Sequence, residues 1–296
     1  MIMTKLKAFI ALLRVKNWLK NVFILFPLIF SLNLLNIHLV IKAIVAFLIF
    51  CIASSIVYIV NDITDLEKDR LHPRKKNRPL PSGTISSKSA IITLIVCIIS
   101  LFILLPNQNP EFIIYSVLYV LVNILYSFGL KKINLLESFI ISSNFLIRVL
   151  AGCAAIVVMP SEWIIVVTFS VSIFLVFVKR KSEIKMLGDK ATEHRSVLKY
   201  YSVSLLDKFI FISATITLTS YLLYTLNEEV ENFFGTNRLF YTTIFVLLGI
   251  FRFIQLSESA EYDDEGDPTS LILKDRFIQI VVLAWLICTI AILYIK

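Results

Sequence analysis

Residues 39–60 read LVIKAIVAFLIFCIASSIVYIV and run without interruption into NDITDLEKD at 61–69. The first stretch carries a single charge, Lys42, and is long enough to cross a bilayer core of about 30 Å at 1.5 Å rise per residue. It reads as a membrane-spanning helix. The second stretch sets three carboxylates and an amide directly behind it, where the chain leaves the lipid. Residues four apart share a helical face, so Asn61, Asp65 and Asp69 are expected to form one oxygen-bearing stripe with Asp62 beside it.

The rest of the chain has the same character. It is 58% hydrophobic and 17% charged, against roughly 25% charged in an ordinary soluble domain, which excludes a water-soluble fold. Hydropathy and length predict nine spans, at about 20–35, 39–60, 89–106, 111–129, 135–158, 162–179, 205–226, 238–256 and 277–295. The expected fold is an all-α polytopic membrane protein forming a single domain over 1–296. The first apolar run shows no small-residue cleavage site and is expected to persist as a span. Cys51, Cys97, Cys153 and Cys288 stand singly in apolar stretches without CxxC spacing, as packing residues do.

Charge placement sets the expected orientation. Of the 29 Lys and Arg, all but Lys42, Arg148, Arg238 and Lys296 fall on one side of the predicted spans. That side is cytoplasmic by the positive-inside rule, which places a multi-pass chain in the cell membrane with its amino terminus and acidic stripe inside. The basic residues thereby answer to membrane lipid, and no nucleic-acid partner is expected. A homo-oligomer is compatible with the sequence.

Clustered carboxylates repel one another unless a cation neutralises them, and Mg²⁺ takes one or two carboxylates together with substrate phosphates. Asn61, Asp62, Asp65 and Asp69 are therefore the expected Mg²⁺ ligands, and the three aspartates the expected catalytic groups. A solvated helix end turning at His72-Pro73 would explain the charges, but not why Asn61 and Asp62 follow Val60 directly. Lys75 suits contact with lipid headgroups, whereas Arg78, fixed before Pro79, suits bidentate capture of phosphate. Arg148 lies within an apolar span and requires an anionic partner, either Glu137 or a substrate phosphate.

The pattern Asn-Asp-x-x-Asp-x-x-x-Asp at 61–69, followed by Arg78-Pro79, resembles the first signature of the UbiA-type prenyltransferase superfamily. Those are intramembrane enzymes with nine helices around a central cavity. Tyr126-Ser127-x-x-Leu130-Lys131, Leu136-Glu137 and Arg148 ahead of Ala151-Gly152 are similar to its fourth and fifth helices. Leu13 to Asn21, Asp69-Arg70-x-His72-Pro73, Lys179-Arg180-x-x-Glu183, Gly266-Asp267-Pro268 and Asp275-Arg276 resemble the decaprenyl-phosphate phosphoribosyltransferase group within it. Aromatic prenyltransferases carry a second aspartate-rich motif on the sixth helix, where this chain reads Lys179-Arg180-Lys181-Ser182-Glu183.

The resemblance implies that a polyprenyl phosphate attacks C1 of phosphoribosyl diphosphate and expels diphosphate. No general base is required, because a phosphate monoester is already largely ionised at neutral pH. Lys20, Asn21, Arg78 and Lys179 are the implied donor-phosphate ligands, with Arg180 and Arg276 further candidates and Glu183 on the same helical side. Lys131 and Arg148 are implied for the acceptor phosphate. Tyr126 either orients a phosphate oxygen or belongs to an interfacial aromatic belt. Two other readings remain: prenyl transfer to an aromatic or quinone-precursor acceptor, which needs the second acidic motif, and a transporter or lipid-binding protein, whose site would lie nearer the midplane.

Overall fold

The structure is a computed structural model and describes residues 2–71, 75–188, 191–258 and 272–295. Of the residues singled out above, His72, Pro73 and Gly266 to Pro268 lie outside the described residues. The chain divides into two compact units, Met1–Lys131 with Ile147–Met159, and Lys132–Leu146 with Pro160–Lys296.

The first unit contains α1 (Ile2–Leu12), a 3-10 segment (Val15–Leu25), α2 (Phe26–Phe30), α3 (Ile37–Thr64), α4 (Leu66–Leu71), α5 (Ser87–Leu104), α6 (Pro110–Phe128) and the second half of α7 (Leu136–Ile156). Asn36 and Ser86 accept backbone N–H groups at the starts of α3 and α5, and Pro110 opens α6 where a missing N–H costs nothing. Ala46, Ile49, Phe50, Ala53 and Val57 repeat at helical spacing along α3. They form a buried stripe with Ile24, Phe112, Tyr119, Ile147 and Ala151. α3 is thus the element from which the carboxylates project.

The second unit holds the first half of α7, then α8 (Glu162–Leu187), α9 (Ala191–His194), α10 (Val203–Thr225), α11 (Glu228–Phe234), α12 (Thr243–Glu258) and α13 (Arg276–Tyr294). Ser161, Ser202, Asn227 and Asp275 cap α8, α10, α11 and α13. Ile173, Phe174, Phe177 and Val178 of α8 meet Leu206 and Ile210 of α10, Ile250 and Phe253 of α12, and Ile278 of α13.

Every described element is helical, and eight helices among the described residues are long and apolar enough to cross a membrane. They coincide with eight of the nine expected spans. The run at 20–35 differs: it is divided between the 3-10 segment, which begins at Val15, and the single turn of α2. A 3-10 helix has three residues per turn, so Trp18, Asn21 and Ile24 align on one side, and Pro27 follows in α2. Asn21, Ile24 and Pro27 are buried there. Trp18 Nε1 donates to Ser55 Oγ at 3.1 Å and Asn21 Nδ2 to Ser54 Oγ at 3.2 Å. At Gly152 an added Cβ would stand 2.2 Å from the Ile24 carbonyl oxygen, so only glycine admits the approach of this segment to α7.

Candidate active site

α3 ends at Thr64, with Asp65 in a non-helical conformation (φ −97°, ψ 10°), and α4 restarts at Leu66. The expected continuous stripe is therefore broken at its middle carboxylate. Asp62 and Asp69 come from the two arms of this break and are both buried. Arg78 Nη1 donates to Asp69 Oδ2 at 2.8 Å and lies 3.4 Å from Asp62 Oδ1. Lys75 Nζ stands 3.7 Å from Asp69 Oδ1, and Arg14 Nη2 donates to Asp62 Oδ1. Asp65 pairs instead with Lys131, whose Nζ lies 2.9 and 3.1 Å from its two oxygens. Asn61 Oδ1 accepts from Ser127 Oγ at 3.4 Å.

The four oxygen-bearing side chains expected to share one ion are divided in this structure between the Asp62–Asp69 pair, Asp65 and Asn61. Among the described residues no three His, Cys, Asp or Glu side chains are grouped to hold a metal. Two carboxylates reach one guanidinium, which is the carboxylate number Mg²⁺ uses when phosphates supply other ligands. The donor set fits a Mg-phosphate complex better than an all-protein cage.

Arg14 holds a left-handed backbone conformation (φ 52°) between α1 and the 3-10 segment. Ser55 Oγ donates to the Leu13 carbonyl at 2.9 Å, which pins this corner against α3 and delivers the guanidinium to Asp62. Burial works against the Arg14 charge, but Asp62 beside it outweighs this and holds the pKa above its ordinary value. Arg14 had no role in the sequence reading, and Lys75 had been assigned to lipid. Arg14 meets Asp62 across 48 residues and no local pattern announces the pair, whereas the partner of Lys75, Asp69, stands close by in the sequence. Among the described residues, four cations thus pair with Asp62, Asp65 and Asp69.

Asn21, expected to bind a donor phosphate, is fully buried and accepts from Arg148 Nε at 2.8 Å. Arg148 Nη2 also donates to Tyr119 OH at 2.9 Å, and its guanidinium lies 4.7 Å over the Tyr119 ring. These contacts clamp the 3-10 segment inside the first unit. Lys20, next to Asn21, is half-buried, as is Tyr126 near the end of α6.

In the second unit Glu137 is committed elsewhere than to Arg148. Arg180 Nε and Nη2 grip its two oxygens at 2.8 and 2.7 Å, and Arg195 Nη1 donates to it at 3.0 Å. Arg180 Nη1 also donates to Glu183 Oε2 at 2.7 Å. Arg180 and Glu183, both expected to bind substrate, are joined with Glu137 and Arg195 in one ion network. Lys179 is half-buried on α8. Arg276 is exposed at the start of α13. Its neighbour Asp275 caps α13 and pairs with Arg252 at 2.7 Å, and that hydrogen bond is the main reason the Asp275 carboxyl lies below the usual carboxylate range.

Comparison with known proteins agrees with this picture. The profile of the UbiA prenyltransferase family matches residues 23–281. A decaprenyl-phosphate phosphoribosyltransferase of Mycolicibacterium smegmatis is 30% identical over 249 residues, 83% of this chain and 78% of that protein. Its namesake in Corynebacterium glutamicum is 28% identical over 288 residues, 96% and 86% of the two chains. The fold is similar to that of a UbiA homolog from Archaeoglobus fulgidus bound to GPP and Mg²⁺, with a TM-score of 0.70 at 14% identity over 97% of this chain and all of the other.

Proposed function

The chain belongs to the UbiA prenyltransferase family, a multi-pass membrane enzyme family, and on that premise we propose that it moves 5-phosphoribose from phosphoribosyl diphosphate to a polyprenyl phosphate. The observation that carries this reading is on α8. Where a prenyl-diphosphate enzyme is expected to offer a second acidic motif, this chain has Arg180, and the carboxylate of Glu183 is already paired with it. The relatives named above support the same reaction class.

In this reaction an oxygen of the lipid phosphate forms a bond to C1 of the ribose as the C1–O bond to diphosphate breaks. The electron pair leaves with the diphosphate. Arg78, shared by Asp62 and Asp69, is proposed to meet diphosphate oxygens through its planar fork. Lys20 and Lys179 are further proposed donor-phosphate ligands, and Lys131 is proposed for the acceptor phosphate. Asp62 and Asp69 would hold Mg²⁺, which supplies Lewis-acid stabilisation of the leaving charge. The cations around the carboxylates suit a reaction in which every reactant carries phosphate.

The proposal places the carboxylates on the cytoplasmic face of the cell membrane, since a sugar-phosphate donor is cytosolic. A cysteine replacing Ser86 should then resist impermeant thiol reagents added outside intact cells, and its labelling there would reverse the orientation. The deciding assay incubates purified protein with Mg²⁺, labelled phosphoribosyl diphosphate and a polyprenyl phosphate. Label in the organic phase supports the reading. Turnover of a prenyl diphosphate with an aromatic acid, and none of phosphoribosyl diphosphate, would replace it.

A further inference from the structure

Arg195 belongs to the stretch 191–202, which comprises α9 and its link to α10, and it meets two carboxylates. Arg180 grips Glu137 through two nitrogens and Glu183 through a third. Ser138 Oγ adds a hydrogen bond to Glu137 at 2.8 Å. Arg195 completes the quartet, with Nη1 3.0 Å from Glu137 and Nε 3.7 Å from Glu183. Two carboxylates and two guanidiniums cancel, so the quartet has no surplus charge with which to attract phosphate. Its role is to hold chain segments together.

Burial separates its parts. The side chains of Glu137 and Arg180 are 0% and 1% exposed, and they join α7 to α8 as an interior rivet. Arg195 is 28% exposed and comes from the connecting stretch. The same stretch presses Ala191, Val197, Leu198 and Tyr201 into the core beside Phe174, Phe177 and Val178 of α8. Ile184 and Leu187 near the end of α8 pack against that cluster. The stretch is therefore fastened along α8 by apolar burial and by one arginine at its rim.

We propose that Arg195 is a positioning residue. Its guanidinium latches the 191–202 stretch to Glu137 and Glu183, and so holds the α8 turn bearing Lys179 in the arrangement that receives a donor phosphate. The latch stands on geometry alone, and its effect on the donor rests on the function proposed above. Loss of Arg195 leaves Glu137 with Arg180 and Ser138, so no carboxylate is stranded and the fold persists. Loss of Arg180 would leave a buried charge uncompensated, so Arg195 is the informative position.

The test uses full-length protein in detergent, with Val197→Cys as a reporter because Val197 is fully buried, and a parallel sample without it to subtract the native cysteines. Arg195→Gln should raise the rate of maleimide labelling at this reporter roughly tenfold or more, since a charge-assisted contact no longer opposes opening. Arg195→Lys should fall between. Amide hydrogen exchange over 196–201 in Arg195→Gln alone reads the same opening without an added cysteine. KM for phosphoribosyl diphosphate should rise about tenfold with kcat within about twofold, as expected when binding is lost and chemistry is not. Unchanged labelling and exchange would refute the latch. Faster labelling with an unmoved donor KM, or with a fall in kcat alone, would refute the positioning role. A wild-type protein that fails to transfer phosphoribose sinks the proposed function and the donor effect, while labelling still decides the latch.

Discussion

Asp65 and Asp69 look equivalent in the motif, yet the structure makes their replacement by asparagine unequal. The Asp69 side chain is 4% exposed, with Arg78 at 2.8 Å and Lys75 at 3.7 Å. Asp65 is 22% exposed and pairs with Lys131, itself 24% exposed. A charge-assisted hydrogen bond in a buried setting contributes about 1.5–3 kcal/mol, whereas a half-solvated ion pair contributes about 0.2–1 kcal/mol. At about 2–4 °C of Tm per kcal/mol for a chain of a few hundred residues, Asp69→Asn should lower the midpoint by roughly 3–12 °C and Asp65→Asn by less than about 4 °C. Arg78 keeps Asp62 in both variants, so neither should unfold outright. Tryptophan fluorescence during heating in detergent measures the midpoints, and the phosphoribosyl-transfer assay on the same samples should show both variants inactive. Equal midpoints, or a larger loss from Asp65→Asn, would refute the burial argument. Full turnover by Asp69→Asn at limiting Mg²⁺ would remove Asp69 from the proposed metal site, and full turnover by Asp65→Asn would show that the Asp65–Lys131 pair does not serve the acceptor phosphate.

Gly152→Ala forces a Cβ into the Ile24 backbone and should cost about 1–3 kcal/mol, while Gly249→Ala, whose Cβ would meet only Val281 Cγ1 at 4.0 Å, should leave the midpoint unchanged or higher. Equal effects at the two glycines would show that the close approach is not what α7 requires. Lys179→Ala should reduce kcat/KM for phosphoribosyl diphosphate by about 10- to 150-fold, the equivalent of one charge-assisted phosphate contact, and unchanged kinetics would remove Lys179 from the donor site. Asp275 has a folded-state pKa below its ordinary value of 3.8, so its contribution is present above that value and lost as pH falls through the lower one. The midpoints of wild type and Asp275→Asn should therefore differ at neutral pH and converge as the pH falls below the lowered pKa. A gap that persists in acid would show that the Arg252–Asp275 pairing is not its source.

Hydropathy located eight spans because length and apolar content are what lipid demands of a helix, and both are local properties. The run at 20–35 satisfied the same criteria but lies against α3 and α7. The spacing of Trp18, Asn21 and Ile24 by threes is the trace of its 3-10 winding, visible only once that geometry is considered. At the site, the identities of Asn61, Asp62, Asp65 and Asp69 were legible and their arrangement was not. Four-residue arithmetic presumes an unbroken helix, and α3 stops at Thr64. The sequence leaves Arg148 two partners, Glu137 or a substrate phosphate, and cannot choose between them for a different reason. Arg148 and Arg180 are both arginines in apolar surroundings, and only tertiary structure decides which of them receives the carboxylate.

Arg180 and Lys181 are neighbours on α8, about 100° apart around its axis, and each is committed to a different set of partners. Arg180 turns to Glu137 and Glu183, while Lys181 turns to Asp207 of α10 and Glu258 of α12. Rotating the helix end by one residue would turn Arg180 toward the counter-charges of Lys181 and Lys181 away from both sets, breaking the two together. Between its Ser161 cap and Arg180, α8 is therefore constrained in length as well as in its buried face. One alanine inserted after Val167 should cripple assembly more than several conservative replacements spread over the same turns, with the yield of folded protein as the measure. The helix behaves as a ruler whose zero mark is set at one end and read at the other by two charges facing different ways.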